Sequence, residues 1–184
     1  EPLYVRSAQA EERVRHRANA REPITLRPFG DDDLPEVCAI EDRTFSDPWP
    51  ASFFSGELSQ PFAYARIAER GGRVVGYCVA WLGAGSGHLG NLAVAADARR
   101  RGVARALVDD VLDESRRREV ESLTLEVRVS NSPGQALYRA HGFRLAGLRR
   151  GYYRDTGEDA LLMEWRPDGV AGAPASAPRG SCGG

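Results

Sequence analysis

Between Gly102 and residue 118, Val103, Leu107, Val111 and Leu112 recur at helical spacing with charged residues between them, which predicts one long amphipathic helix. Residues 122–127 alternate apolar and polar positions as a half-buried strand does. Residues 62–68 and 73–82 are rich in β-branched and aromatic residues and are separated by Arg70-Gly71-Gly72, which reads as a hairpin. Shorter strands are expected at 24–27, 88–94, 143–148 and 160–165. Asp31 to Asp33 supply side-chain caps for a helix carrying Leu34, Val37, Cys38 and Glu41. Asp47-Pro48-Trp49-Pro50 breaks that helix from a second one around 53–58, because proline lacks the donor that a continuing helix needs. A further helix is expected over 132–141. Strands interleaved with helices predict an α/β protein with a mixed sheet.

The ends differ from the middle. Residues 1–22 are charged and poor in large aliphatics, and 167–184 drift into Gly, Ala, Pro and Ser, so both are expected to be flexible extensions of one domain over 23–166. A length of 184 residues with 42% apolar and 28% charged residues fits one core. The lack of an apolar run of about 18 residues predicts no membrane span, and a cytoplasmic setting is expected. Cys38, Cys78 and Cys182 form an odd set without CxxC spacing, which argues against disulfides and against zinc. His88 and His141 have no second ligand at helical spacing, so no metal is expected. Acidic and basic residues balance at 26 to 25, and every basic residue is arginine.

The sharpest local feature is Arg99-Arg100-Arg101-Gly102-Val103-Ala104-Arg105, where a strand passes into the long helix. Helix starts carry backbone NH groups without partners and a positive dipole end, so they attract anions. Gly102 and Ala104 let a diphosphate approach the backbone, and the arginines ring it with charge. Neither the Gly-Lys-Ser/Thr of a nucleotide P-loop nor a three-glycine dinucleotide fingerprint is present. Taken alone, RxxGxA reads first as three arginines and a glycine capping a solvated helix.

The ordered series decides between the two. RxxGxA and its helix are followed by Leu125-Glu126-Val127, then Asn131, Leu137-Tyr138 and Gly142-Phe143. This series resembles the GNAT superfamily of N-acetyltransferases over residues 24–165. The stretch from Thr124 to Asn131, with Ala136-Leu137-Tyr138 and His141-Gly142-Phe143, is similar to the RimI branch, which acetylates the N-terminal alanine of a small-subunit ribosomal protein. Glu41, Phe45 and Asp47-Pro48-Trp49 resemble that branch's first acceptor loop. Arg149-Arg150-Gly151-Tyr152-Tyr153 and Glu158-Asp159-Ala160 resemble its closing hairpin. Ser86, Gly90 and Pro133-Gly134 depart from it, standing where the branch has an acid, a bulky aliphatic and Ala-Ala. Gly90 also fits a strand bulge.

The resemblance implies a GNAT fold, a mixed, mostly antiparallel sheet of about seven strands flanked by helices. It implies acetyl-CoA as cosubstrate, with the diphosphate held by Arg99, Arg100, Arg101, Gly102, Val103, Ala104 and Arg105. It further implies backbone amides of Leu92, Ala93 and Val94 facing the oxyanion, and Asn131 on the pantetheine arm. Glu126 matches the general base and Tyr138 the acid that protonates the thiolate. Read singly, Glu126 is an exposed strand glutamate, Tyr138 a half-buried core tyrosine with its hydroxyl satisfied, and Asn131 a helix cap. Trp49, Tyr152 and Tyr153 would wall the acceptor peptide, while Glu41, Glu158 and Asp159 would offer carboxylates to an arginine at its second position. An α-amine with a pKa near 8 costs about 1.4 kcal/mol to deprotonate at pH 7, against about 4.6 kcal/mol for a lysine, which favours an N-terminal acceptor. Acetylation of lysine side chains or small amines is the alternative within the fold. A non-catalytic RNA-binding module, built on the arginines that bracket the long helix, is the alternative outside it. No membrane or direct nucleic-acid contact is expected.

Overall fold

The apolar runs pair into a single sheet. In the computed structural model, residues 22–83 and 85–167 are described. Nearly all of the expected N-terminal extension and C-terminal tail, and Cys182, fall outside them. Strands β1 (Thr25–Pro28), β2 (Ala63–Arg70), β3 (Arg73–Leu82), β4 (Ser86–Val94), β5 (Ser122–Arg128), β6 (Arg144–Tyr153) and β7 (Glu158–Trp165) lie in the order β1-β2-β3-β4-β5-β7-β6. Every neighbouring pair is antiparallel except β4 and β5. Parallel strands need a crossover, and the long helix supplies it. Helices α1 (Leu34–Thr44), α2 (Ala51–Leu58), α3 (Val103–Arg117) and α4 (Ser132–Ala140) complete the α/β architecture expected from the pattern.

Three local expectations need correction. Asp31–Asp33 form a short 3-10 turn, and no side chain caps α1. Asp33 instead accepts both guanidinium nitrogens of Arg27, at 2.7 and 2.8 Å, and the amide of Gly30. The short helix begins at Ala51, two residues early, because Pro50 sits extended at its N-cap, where its missing N–H does no harm. β6 runs on to Tyr153, five residues past the expected end, because the ladder with β7 continues beyond Arg149 through a register irregularity.

The sheet buries both faces around its middle strands. On one face Val103, Leu107, Val108, Val111 and Leu112 of α3 pack on Val75, Cys78, Ala80, Leu89 and Val94. On the other, Val37 and Ile40 of α1 and Phe54 of α2 pack on Ile67, Tyr77, Val79 and Ala93. Inward residues alternate along β4 and β5, as the period of two requires. The cysteines Cys38 and Cys78 are free. Among the described residues no helix is long and apolar enough to cross a membrane, and no cluster of three or more His, Cys, Asp or Glu is arranged to hold a metal.

An acidic side chain lies deep inside this core. Glu41 of α1 is 1% exposed. Its carboxyl accepts the Tyr77 hydroxyl, the Asn91 side-chain amide at 3.1 Å and the Trp49 backbone N–H at 3.0 Å. It therefore ties α1, the loop after it, β3 and β4 into one network. Burial raises its pKa above the ordinary carboxyl range, opposed by the Trp49 and Asn91 hydrogen bonds. Replacing Glu41 by Ala should leave three buried polar groups unpaired and cost about 2–4 kcal/mol, measured by chemical denaturation. Because the folded chain holds this proton more tightly than the unfolded one, the stability it confers is present at low pH and lost as pH rises through the raised value. Glu41→Gln cannot ionise and should flatten that slope.

Candidate active site

The site is built on a failure of pairing. β4 and β5 share three rungs, Ser86 with Ser122, Gly87 with Leu123 and His88 with Thr124, and then part. Ala95 donates its N–H to Val75, so by antiparallel alternation Ala93 also spends its amide on β3, while Leu92 and Val94 turn theirs towards the gap that β5 has left. This corrects the expected trio of amides. Only Leu92 and Val94 are available, and Ala93 is a buried core residue.

The gap leads to the start of α3. Gly102 forms its N-cap at φ 85°, a conformation that only glycine adopts without cost, and no side chain caps the helix. The first-turn amides thus lack a side-chain acceptor and carry the positive end of a 15-residue dipole. Arg100, at φ 61°, also holds left-handed backbone, a strained loop of the kind found at ligand clamps. Beneath the loop Arg70 is buried, with Nη2 on the Arg101 carbonyl at 3.2 Å and Nε unpartnered. Uncapped amides and a buried, underused guanidinium fit a multiply charged anion such as a diphosphate. Arg99 donates to the Val94 carbonyl at 3.1 Å and braces the loop. Arg100, Arg101 and Arg105 are exposed, whereas the Val103 side chain is core and only its amide can serve a ligand.

Across the gap Glu126 points out of β5 with its side chain only 6% exposed. Oε2 lies 3.2 Å from His88 Nε2, and Oε1 lies 3.2 Å from Arg149 Nη2. The other imidazole nitrogen of His88 is 3.1 Å from the Thr124 hydroxyl, and its ring stacks on Trp81. Burial lowers the His88 pKa, with Glu126 opposing and Arg149 assisting. Glu126 is thus no ordinary surface glutamate. Tyr138 is half-buried against Phe143, and its hydroxyl has no hydrogen-bond partner among the described residues, contrary to a satisfied core tyrosine. Burial, then Tyr153 and Cys78 nearby, raise its pKa well above the phenol range, so it stays protonated. Asn131 caps α4 by accepting the Gly134 amide at 2.9 Å, which leaves its amide nitrogen unspent.

The acceptor side differs from expectation. Glu41 belongs to the core network and cannot meet a substrate arginine. Glu158 spends both oxygens, one on the Ser130 amide at 2.7 Å and one on Arg128 at 3.2 Å. Asp159 accepts the Gly151 amide at 2.7 Å, which holds the end of β6 in place. All three brace the protein where free carboxylates were expected. Trp49 sits in an aromatic cluster with Phe53, Phe54 and Trp81. Tyr152 and Tyr153 pack edge to face, Tyr152 beside Arg149 and Tyr153 under the Arg128 guanidinium. Ser46, after α1, bonds Asp155 in the β6–β7 turn, and Arg128 holds the same carboxylate at 2.8 Å. The two loops expected to flank an acceptor therefore do meet.

Two departures from the family pattern acquire reasons. A Cβ on Gly90 would fall 2.1 Å from the Trp81 ring, so the indole fills the space of the absent aliphatic, and the register shift in β4 skips this residue as a bulge does. A Cβ on Gly134 would fall 2.7 Å from Asn131 Nδ2, so glycine there makes room for the cap. Nothing in the structure explains Ser86. Sequence reading missed His88, Arg149 and Arg70. No spacing along the chain signals them, since His88 meets Glu126 only through the β4–β5 register.

Comparison with known proteins bears on the family and the fold. The sequence profile described as "Acetyltransferase (GNAT) family" matches residues 34–143. The Escherichia coli ribosomal protein bS18-alanine N-acetyltransferase is 35% identical over 133 residues, 71% of this chain and 89% of that one. The Mycobacterium tuberculosis N-alpha-acetyltransferase RimI is 36% identical over 154 residues, 77% of this chain and 92% of that one. The crystal structure of the Escherichia coli enzyme superposes with a TM-score of 0.73 at 30% identity, covering 84% of this chain and 99% of the other.

The contact between Gly90 and Trp81 is open to test. Gly90→Ala should displace the indole, break its 2.6 Å bond to Glu57 and cost about 1–3 kcal/mol. Thermal melts should show the loss, and near-UV circular dichroism should show the altered Trp49–Trp81 pair. An unchanged spectrum and melting point would mean that Trp81 does not need the space.

Proposed function

The chain belongs to the acetyltransferase (GNAT) family, and we propose that, as an N-acetyltransferase, it moves the acetyl group of acetyl-CoA to the α-amine of a protein beginning with alanine. By likeness to the bS18-alanine N-acetyltransferase of Escherichia coli, the acceptor is the N-terminus of a small-subunit ribosomal protein. The observation that carries the reading is Glu126, a nearly buried carboxylate on β5 facing the gap between β4 and β5, with the uncapped start of α3 at the gap's far end.

In this reading the first-turn amides of α3 and the guanidinium of Arg70 hold the diphosphate. The amides of Leu92 and Val94 stabilise the oxyanion without using a side chain. The unspent nitrogen of Asn131 faces the pantetheine. Glu126 removes a proton from the amine, and Tyr138 donates one to the departing thiolate. A thiol with a pKa of about 8.5 sets the demand on that acid: burial keeps the Tyr138 phenol protonated but makes it a weaker acid, so its fitness as donor rests on a hydroxyl that no described residue engages. With Glu41, Glu158 and Asp159 engaged inside the protein, the acceptor is held by the aromatic side chains of Trp49 and Tyr152 and by its own backbone.

Thiol release from acetyl-CoA with an Ala-Arg hexapeptide tests the roles. Glu126→Gln and Tyr138→Phe should each lower kcat by about a hundredfold or more while coenzyme affinity by calorimetry stays within about threefold. Turnover of free lysine or of aminoglycosides at the peptide's rate would redirect the acceptor assignment. Wild-type rates in both variants would remove the catalytic one.

A further inference from the structure

Around Glu126 the supply of protons can be counted. Oε1 faces Arg149, a guanidinium that never gives up or accepts a proton in a protein. Oε2 faces His88 Nε2 at 3.2 Å. His88 is held from behind: its Nδ1 lies 3.1 Å from the Thr124 hydroxyl, which itself donates to the Gly87 carbonyl at 3.2 Å. A hydroxyl has one hydrogen. While Thr124 gives it to Gly87, the imidazole must donate from Nδ1, and its Nε2 lone pair then looks straight at the carboxylate. Two lone pairs at that distance need a proton between them. If Thr124 turns its hydrogen to Nδ1, Nε2 carries the proton and donates it to Glu126. Both arrangements exist within one set of contacts, so this pair is built to hold and pass a proton.

Exposure gives the transfer a direction. The Glu126 side chain is 6% exposed, whereas that of His88 is 34% exposed. The carboxylate meets solvent poorly; the imidazole, though partly buried, reaches it. Building on the reading of Glu126 as the base, we infer that His88 is a positioning residue that also relays to solvent the proton Glu126 takes from the acceptor amine. The amine nitrogen bonds the acetyl carbon as its N–H bond and the carbon–sulfur bond of the thioester break; the amine proton passes to Glu126, then to His88 Nε2, and the imidazolium so formed releases one proton to water. Independently, Tyr138 protonates the thiolate and recovers its proton from solvent, so the sum is balanced. The groups facing His88 are Thr124 and Glu126 of β5, Arg149 of β6 with Tyr152 beside it, and the Trp81 indole of β3, whose nitrogen is held by Glu57 of α2. Burial and the Arg149 charge lower the His88 pKa, which keeps the ring neutral near pH 7 and ready to accept.

The test uses the full chain with acetyl-CoA and the Ala-Arg hexapeptide. His88→Gln keeps a donor for Oε2 and cannot carry a proton; His88→Ala opens a space beside Trp81 that imidazole can enter. Both should lose about tenfold or more in kcat with KM for acetyl-CoA within about twofold, and imidazole should restore the Ala variant in proportion to its neutral form. The acidic limb of the kcat–pH profile should be altered in His88→Gln. In NMR titrations of the intact protein, the His88 pKa should fall in Glu126→Gln, because the carboxylate that favours its charged form is gone. If Glu126→Gln abolishes turnover while His88→Gln keeps the wild-type rate and profile, the relay is overturned and the base stands. If Glu126→Gln is fully active, both fall. A His88 pKa unmoved by Glu126→Gln would overturn the coupling even where a His88 variant failed to fold.

Discussion

The site exists because two parallel strands stop pairing. β4 and β5 hold each other for three rungs and separate at His88 and Thr124. A continuous ladder would have used the amides of Leu92 and Val94; separation leaves them facing a cleft, a cost that only a ligand or water can offset. Two features keep the strands apart. The bulge at Gly90 turns β4, and six rungs with β7 draw β5 the other way, from Leu123 with Trp165 to Arg128 with Ala160. Glu126 is placed by the second and Leu92 by the first. Their mutual distance is therefore set by the whole sheet, with neither residue's local sequence deciding it.

The same division explains what could be read from the chain. α3 and the Gly102 start of its helix were legible because their signals are local: apolar spacing, one glycine and a change of period. The seven strands and the Gly71-Gly72 turn followed for the same reason. Glu41 was misread because nothing nearby in sequence reveals that Tyr77, Asn91 and the Trp49 amide converge on it from other elements. His88 looked isolated because its partner is 38 residues away and reached only through the strand register. Glu158 and Asp159 were placed in the right hairpin yet given free carboxylates, since sequence cannot tell an acid that serves a ligand from one that holds a neighbouring amide.

The two expected departures show how a site tolerates substitution. A bulky aliphatic removed at Gly90 would leave a hole in a strand beside the cleft, and cavities are expensive. Trp81 fills it from β3, anchored by Glu57, and in doing so lays a flat surface under His88. Gly134 looks unfavourable inside a helix, but it sits in the first turn, where it admits the Asn131 cap that offsets much of its cost. Neither residue makes sense alone; each is half of an exchange whose other half lies elsewhere in the fold.

Charge around the cleft follows from a composition of arginine without lysine. A guanidinium fixes a positive charge and presents donors, but it does not titrate and cannot serve as an amine acceptor. Arg70 under the loop, Arg149 on Glu126 and Arg128 between the hairpin acids therefore supply field and geometry while leaving proton traffic to other groups. That narrows the chemistry. Among the described side chains contacting Glu126, only an imidazole can change its charge near neutrality, and it stands at the rung where the strands part. The parting that exposes the amides thus also sets a titratable group at the mouth of the cleft, between the buried carboxylate and water.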